Sequence, residues 1–388
     1  MSYISSNANR WYCATESVYG QIAAITATNR IPAVNMTAQV KLAKSQRKDK
    51  TGTRTWAGLP QGMRTQTSFD LTTYMRDWAD QTTLPPHDPL FEATMGMPGN
   101  LWPGGTPASG TTSSIVFGAP HGLTPGQAIV SGGEIRFVAA VADAMTIVLN
   151  APLSAAPVPG VPLSPTATYS LASALPSFSL FDYWDPSTAL QRVIAGAAVD
   201  QATIKLNGDF HEFEFKGSAQ DIVDSASFTS GQGFATTFPP EPAVSAYTYS
   251  PVPGNLGEVW LGVIPNQFLT LSSASIQIKN NVDMRANEFG SSLPQGIAPG
   301  QRDVSMSFEL FSGDDAATLS LYQAARQRSP MEAMFQLGQQ AGQLLGIYLP
   351  SVVPVVPEFD DSKNLLQWKF EDSRAQGTMD NEIVIAFG

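Results

Sequence analysis

His87, His121 and His211 are the residues best suited to proton transfer or metal ligation near neutral pH, and their settings point to neither. His87 follows Pro85 and Pro86 in a loop pattern. His121 lies in a Gly- and Ala-rich stretch, and His211 alternates with Phe213 and Phe215 as part of a strand. None has a partner at the His-Glu-x-x-His spacing, and neither a Gly-x-Ser-x-Gly elbow nor a Gly-x-x-x-x-Gly-Lys loop occurs. The acidic groups fare no better. Asp314 and Asp315 stand where a helix would begin, and Glu358, Asp360 and Asp361 follow Pro357 in a turn pattern. Cys13 is the single cysteine, which excludes an internal disulfide and a Cys-based metal site. The sequence therefore predicts no enzyme and no catalytic, cofactor-binding or metal-binding residues.

Formal net charge is −11, yet only 14% of residues are charged, so the surface must be built largely from Ser, Thr, Asn and Gln. Such a balance repels polyanions weakly and excludes a sequence-independent grip on DNA. One basic loop stands out, with Lys44, Arg47, Lys48, Lys50 and Arg54 offset only by Asp49. No run of eighteen apolar residues and no cationic leader with an apolar core is visible, so neither a membrane span nor secretion by that route is expected.

The elements that would position these residues are mostly strands. Val34, Met36, Ala38, Val40 and Leu42 alternate with polar residues, predicting a long strand buried on one side. Thr67, Phe69 and Leu71 predict a second, 71–80 a short helix, and 90–95 a strand after the Pro85-Pro86 break. Further strands are predicted at 178–181, 199–205, 210–216, 269–278, 304–310, 366–371 and 382–387. The parity of apolar residues flips within 269–278, which requires a bulge near 272–275. A helix is predicted from an N-cap at Ser312 to Arg328, with Leu319, Tyr322 and Ala325 on its buried face.

These elements occur twice. GLPQGMRTQTSFDL at 58–71 returns as SLPQGIAPGQRDVSMSFEL at 292–310, aligning Phe69 with Phe308. Pro89, Glu92, Ala93 and Gly96 are echoed by Pro330, Glu332, Ala333 and Gly338. Phe213 and Phe215 are echoed by Trp368 and Phe370. The offset between copies drops sharply between Gly96 and Phe213, where residues 104 to 174 are nearly free of charge and rich in Gly, Pro, Ser and Thr. The expected organisation is a first unit at 1–103 and 175–240, an inserted all-β module at 104–174, and a second unit at 241–388. The fold class is mainly β: two tandem β-sandwich or barrel units, each with a flanking helix.

The repeated unit resembles the tail tube proteins of long-tailed, non-contractile bacteriophages, in their two-domain duplicated form. The likeness is carried by TESVYG at 15–20, the alternating strand at 34–42, the LPQG and SF-acid-L repeats, the helix at 314–328 and the closing DNEIVIAFG. It implies six units around a bore. Three such chains would make a pseudo-hexameric homotrimer, and stacked trimers a conduit for DNA ejection. The implied partners are further copies of the chain and the tape measure, tail terminator and distal tail proteins, with phage DNA passing through without specific binding. The implied location is the virion tail, assembled in the host cytoplasm, with the inserted module on the outer surface. On this reading Asp70, Glu212, Glu214 and Glu309 are expected to line the lumen, and Arg47, Lys48, Lys50 and Arg54 to make ring-to-ring contacts. The alternative is a host-binding or decorating β-sandwich virion protein. It would require exposed aromatic clusters, whereas the inserted module holds Phe117, Phe137 and Tyr169, all inside strand patterns.

Overall fold

The computed structural model describes residues 3–42, 49–55, 58, 63–244, 247–362 and 364–388. The first half of the chain contributes β1 (Asn9–Thr15), β2 (Ala33–Leu42), β3 (Thr65–Tyr74), helix α1 (Asp88–Met95), β4 (Asn100–Trp102), β5 (Thr166–Tyr169), β6 (Phe178–Trp184), β7 (Arg192–Leu206), β8 (Glu212–Ala219) and β9 (Asp221–Asp224). The second half contributes β10 (Gly257–Gly262), β11 (Leu271–Lys279), β12 (Asp303–Phe311), helix α2 (Ala316–Gln327), β13 (Met331–Leu337), β14 (Leu345–Val353), β15 (Glu358–Asp360), β16 (Gln367–Ala375) and β17 (Val384–Phe387).

Period-two alternation in these strands produces two layers. The inner layer is one antiparallel sheet that crosses from one half of the chain into the other, in the order β2-β3-β8-β7-β11-β12-β16-β15. Behind it lie β1-β6-β7-β9 of the first half, and β10-β13-β14-β17 of the second half extended by β5 and β4 of the first. Between the layers the alternate residues Phe69, Leu71, Ile204, Phe213, Ile276, Phe308 and Phe370 form a continuous apolar core. Phe308 and Phe370 stack at 4.4 Å, close to parallel.

β7 belongs to both layers. Its first half pairs with β6 and β9, its second with β8 and β11, and the register slips between Val199 and Gln201. A bulge bends a strand sharply, and this one turns the corner from one layer to the other. The intervening Asp200 is anchored there, its carbonyl accepting from Asn280 N at 2.7 Å and its carboxylate from Val282 N at 2.7 Å. In the second half the same path is divided between β14 and β15, because Pro354 and Pro357 interrupt the ladder. The expected bulge in the first strand of the second unit is present, between Leu271 and Ser273.

Both helices depart from the sequence expectation. Residues 71–74 do not start a helix: β-branched Thr72 and Thr73 extend β3 against β8 as far as Tyr74 opposite Glu212. The helix instead begins at Asp88, where Pro89 is tolerated in the first turn, and ends at Gly96, whose φ of 95° suits a left-handed cap. The 90–95 stretch was therefore helical, and its Phe91 meets Phe213, Phe215 and Phe387 edge-on. In α2 the N-cap is Asp315 rather than Ser312, accepting from Thr318 N at 2.9 Å. Of the expected buried face Ala325 is covered and Tyr322 partly so, while Leu319 is exposed and Thr318, Leu321 and Ala324 are buried instead.

Within the charge-poor stretch, Pro107–Gly110, Ser114–Phe117, Thr146–Leu149, Glu134–Asp143 and Ala128–Ser131 form, in that order, a separate five-stranded sheet. Ile115, Phe117, Ile129, Val138 and Ile147 give it a core of its own. β5, expected inside this module, lies outside it: β4 and β5 pair with each other, and β5 pairs with β17 at the end of the chain. The module rests on the second half through Val130, Ile135 and Phe137 against Met334, Tyr348 and Val384. At that junction the Arg136 guanidinium is buried, bonded at 2.9 Å to both Glu134 and Glu258 and at 3.1 Å to Gln336 Oε1.

Candidate functional site

Residues directly opposite one another in an antiparallel pair project to the same face. Following the registers across the inner sheet, Asp70 lies opposite Lys216, Glu214 opposite Thr72 and Thr203, and Glu212 opposite Tyr74 and Lys205. Lys205 lies opposite Ser275, Ser275 opposite Ser307, Glu309 opposite Lys369, and Lys369 opposite Glu358. Asp70, Glu212, Glu214 and Glu309 thus share one polar face that runs unbroken through both halves of the chain, turned away from the core.

Sequence reasoning left out the lysines on that face, although they have the same strand parity as the carboxylates. Lys216 Nζ is 3.3 Å from Asp70, Lys205 is ion-paired with Glu214, and Lys369 Nζ is 2.7 Å from Asp360. The hydrogen bond from Lys369 holds the Asp360 carboxyl below the usual carboxylate range and raises the lysine in turn. In place of a face of carboxylates, the sheet presents acids and lysines in contact. Such solvent-exposed pairs add little to folding stability. Their effect is on the electrostatic potential over that face.

Among the described residues the sheet is open at both ends. β2 pairs with β3 on one side, and β15 with β16 on one side. At the first end the sequence expectation fails. Val40 is 43% exposed and Leu42 61%, whereas Ile276 and Ile278, at the matching positions of β11, are fully covered. β11 has β7 as a second neighbour and β2 has no second one among the described residues, so the same apolar pattern is sealed in one half and open in the other. The second end is apolar too. Phe359, stacked at 5.4 Å on Trp368, is 54% exposed, and Val355 and Val356 beside it are also exposed.

Of the expected ring-to-ring residues, Lys50 and Arg54 are exposed, while Arg47 and Lys48 lie outside the described residues. So does the first Leu-Pro-Gln-Gly at 59–62. The second copy docks against the first half: Gln220 Nε2 donates to Pro294 O at 2.9 Å, and Thr65 N donates to Ser292 O at 3.0 Å.

The histidines do not meet. Burial pushes His87 down to about 3, and its Nε2 donates to Tyr74 O at 3.0 Å. His211 bonds Leu256 O and His121 bonds Asp143 O. Among the described residues no group of His, Cys, Asp and Glu is placed to hold a metal ion, and no helix is long and apolar enough to cross a membrane. Cys13 is buried, which raises its thiol well above the ordinary range.

A family model described as phage tail tube protein matches residues 14–376. No curated protein matches the chain.

Proposed function

The chain belongs to the phage tail tube protein family and is a structural component of the virion tail, and from that premise we propose that three copies close into a pseudo-hexameric ring and that rings stack into the conduit for DNA ejection. The observation that carries this reading is the inner sheet: one polar face spanning both halves, with an apolar strand at each end that is paired on one side only among the described residues. A sheet with open apolar edges is prone to uncontrolled pairing, and closing it into a ring removes the edges while leaving growth along the axis. The internal β7–β11 join already places two units side by side, so three chains supply six.

In such a ring the polar face is the bore. Asp70, Glu212, Glu214 and Glu309 would repel phosphates, and Lys205, Lys216 and Lys369, each ion-paired with a carboxylate, offer DNA no uncompensated row of cations. DNA would slide without specific binding. The inserted module, packed on β13, β14 and β17 behind the inner sheet, would stand on the outside. Lys50 and Arg54, with Arg47 and Lys48, would reach the neighbouring ring. The tape measure, tail terminator and distal tail proteins are the further partners, met during assembly in the host cytoplasm. A decorating or host-binding role draws no support from the aromatics in this stretch, since the module's Phe117 and Phe137 are buried, as is Tyr169 on β5.

Negative-stain microscopy of purified protein tests the proposal, with threefold rings or tubes as the expected result. A protein that remains monomeric at every concentration by sedimentation would overturn it. Charge reversal of Lys50 and Arg54 should leave rings intact but prevent stacking.

A further inference from the structure

The chain contains one copy of the join that a ring would need between chains, and that copy fixes a register. Within the molecule, β7 pairs with β11 so that Ile204 faces Ile276, Thr203 faces Gln277 and Lys205 faces Ser275. Both partners have counterparts at the open ends. Ile204 lies opposite Phe213, and Phe359 lies opposite Trp368, the residue aligned with Phe213 in the repeat. Ala274 lies opposite Phe308, and Ala38 lies opposite Phe69, the residue aligned with Phe308. Phe359 therefore takes the place of Ile204, and Val40, two residues beyond Ala38, the place of Ile276.

We propose that β15 of one chain pairs antiparallel with β2 of a second copy in this same register, with Phe359 opposite Val40, Glu358 opposite Lys41 and Asp360 opposite Gln39. The inference rests on the ring reading above and names the residues at its seam. Burial supports it: Ile204 and Ile276 seal each other at 2% and 0% exposure, while Phe359 and Val40 remain half open. Charge supports it independently, because the register sets Glu358 against Lys41 on the polar face, and opposite charges across a strand pair favour it. Pro357, at the position facing Leu42, has no N–H to donate, so the ladder is confined to the few residues after it. A short seam with a single matched charge pair resists the register slips to which a long flat edge is prone.

The test is crosslinking of assembled protein. Lys41 and Glu358 are exposed, so Lys41→Cys with Glu358→Cys should fold, and the buried Cys13 leaves the engineered thiols as the accessible ones. Under mild oxidation with diamide, this pair should convert most of the monomer band on a non-reducing gel to covalent dimer and trimer. Glu358→Cys with Gln39→Cys, two residues out of register, should leave the monomer band largely in place. Tubes that form normally while the first pair fails to crosslink, or while the second crosslinks equally well, would overturn the register and leave the ring reading standing. Protein that forms no ring or tube, even without substitutions, would overturn both.

Discussion

Arg136 shows how one side chain ties the inserted module to the rest of the molecule. Its guanidinium is nearly sealed from water and bonds Glu134 and Glu258 at once, lies 5.3 Å over the Trp260 ring, and donates to Pro152 O, Ile135 O and Gln336. Removing one partner of a buried ion pair leaves the others uncompensated, at a cost of roughly 3–5 kcal/mol. Arg136→Met is expected to lower the thermal midpoint by several degrees and to open the junction to limited proteolysis near residue 134, while the module's own core stays folded. A different pair of residues sets the response to pH. His87 has its pKa depressed from 6.5 to about 3 by burial, so it contributes stability that is present above 6.5 and lost as pH falls toward 3. Asp88 is raised from 3.8 to about 6 by burial, against the hydrogen bond from Tyr169 Oη, so its contribution is present below 3.8 and lost as pH rises through 6. The two slopes oppose each other between pH 4 and 6. Urea midpoints measured across that window should become flatter or turn downward with rising pH in His87→Gln, and steepen upward in Asp88→Asn.

At the scale of elements, the strands were legible where a side chain's neighbours are local and obscure where they are not. Phe213 and Phe215 face the core as their alternation requires, as do Val304, Met306, Phe308 and Leu310, and even the bulge in β11 showed as a change of parity. Residues 90–95 misled because six residues between a diproline and a glycine fit either period, and the capping geometry that decides for helix is not a matter of hydrophobicity. β5 misled because its partners, β4 and β17, are far away in sequence and nothing in its own four residues names them. The corner in β7 carries a sharper test of the architecture. Gly217 sits beside that corner, where an added Cβ would lie 1.9 Å from Ala198 O and 2.9 Å from the Phe69 ring. Neither the strand carbonyl nor the enclosed ring can yield cheaply, so Gly217→Ala should destabilise the fold by about 3 kcal/mol in chemical denaturation, at the upper end for overpacking. A matching substitution at Gly118, which like Gly217 has no positive φ and where an added Cβ would meet only Thr106 O at 3.9 Å, controls for the change of residue type alone.

For the whole molecule, the question is whether the polar face behaves as a surface over which DNA can move. The sequence supplied the carboxylates and the duplication, but the way strands from both halves merge into one face depends on the β7–β11 join, which pairs residues from different repeats and leaves no local trace. The lysines acquire meaning only through that register, which sets Lys205 and Lys216 beside Glu214 and Asp70. Such a face is close to neutral locally even though the chain as a whole carries −11. Replacing Asp70, Glu214 and Glu309 together with lysine would free the native lysines and add new ones, and multiplied around a ring this becomes a band of cations facing the axis. Phosphates are held by such bands through counterion release, so log affinity falls linearly with log salt, by a factor on the order of 10³ or more between about 50 and 200 mM for six or more contacts. Tubes of the triple variant should therefore retain short duplex DNA in sedimentation at low salt and release it at high salt, while tubes without the substitutions retain none at either. Equal retention by both would mean that this face does not line the path of the DNA, and the outer surface, with its module, would have to be reconsidered as the side that meets it.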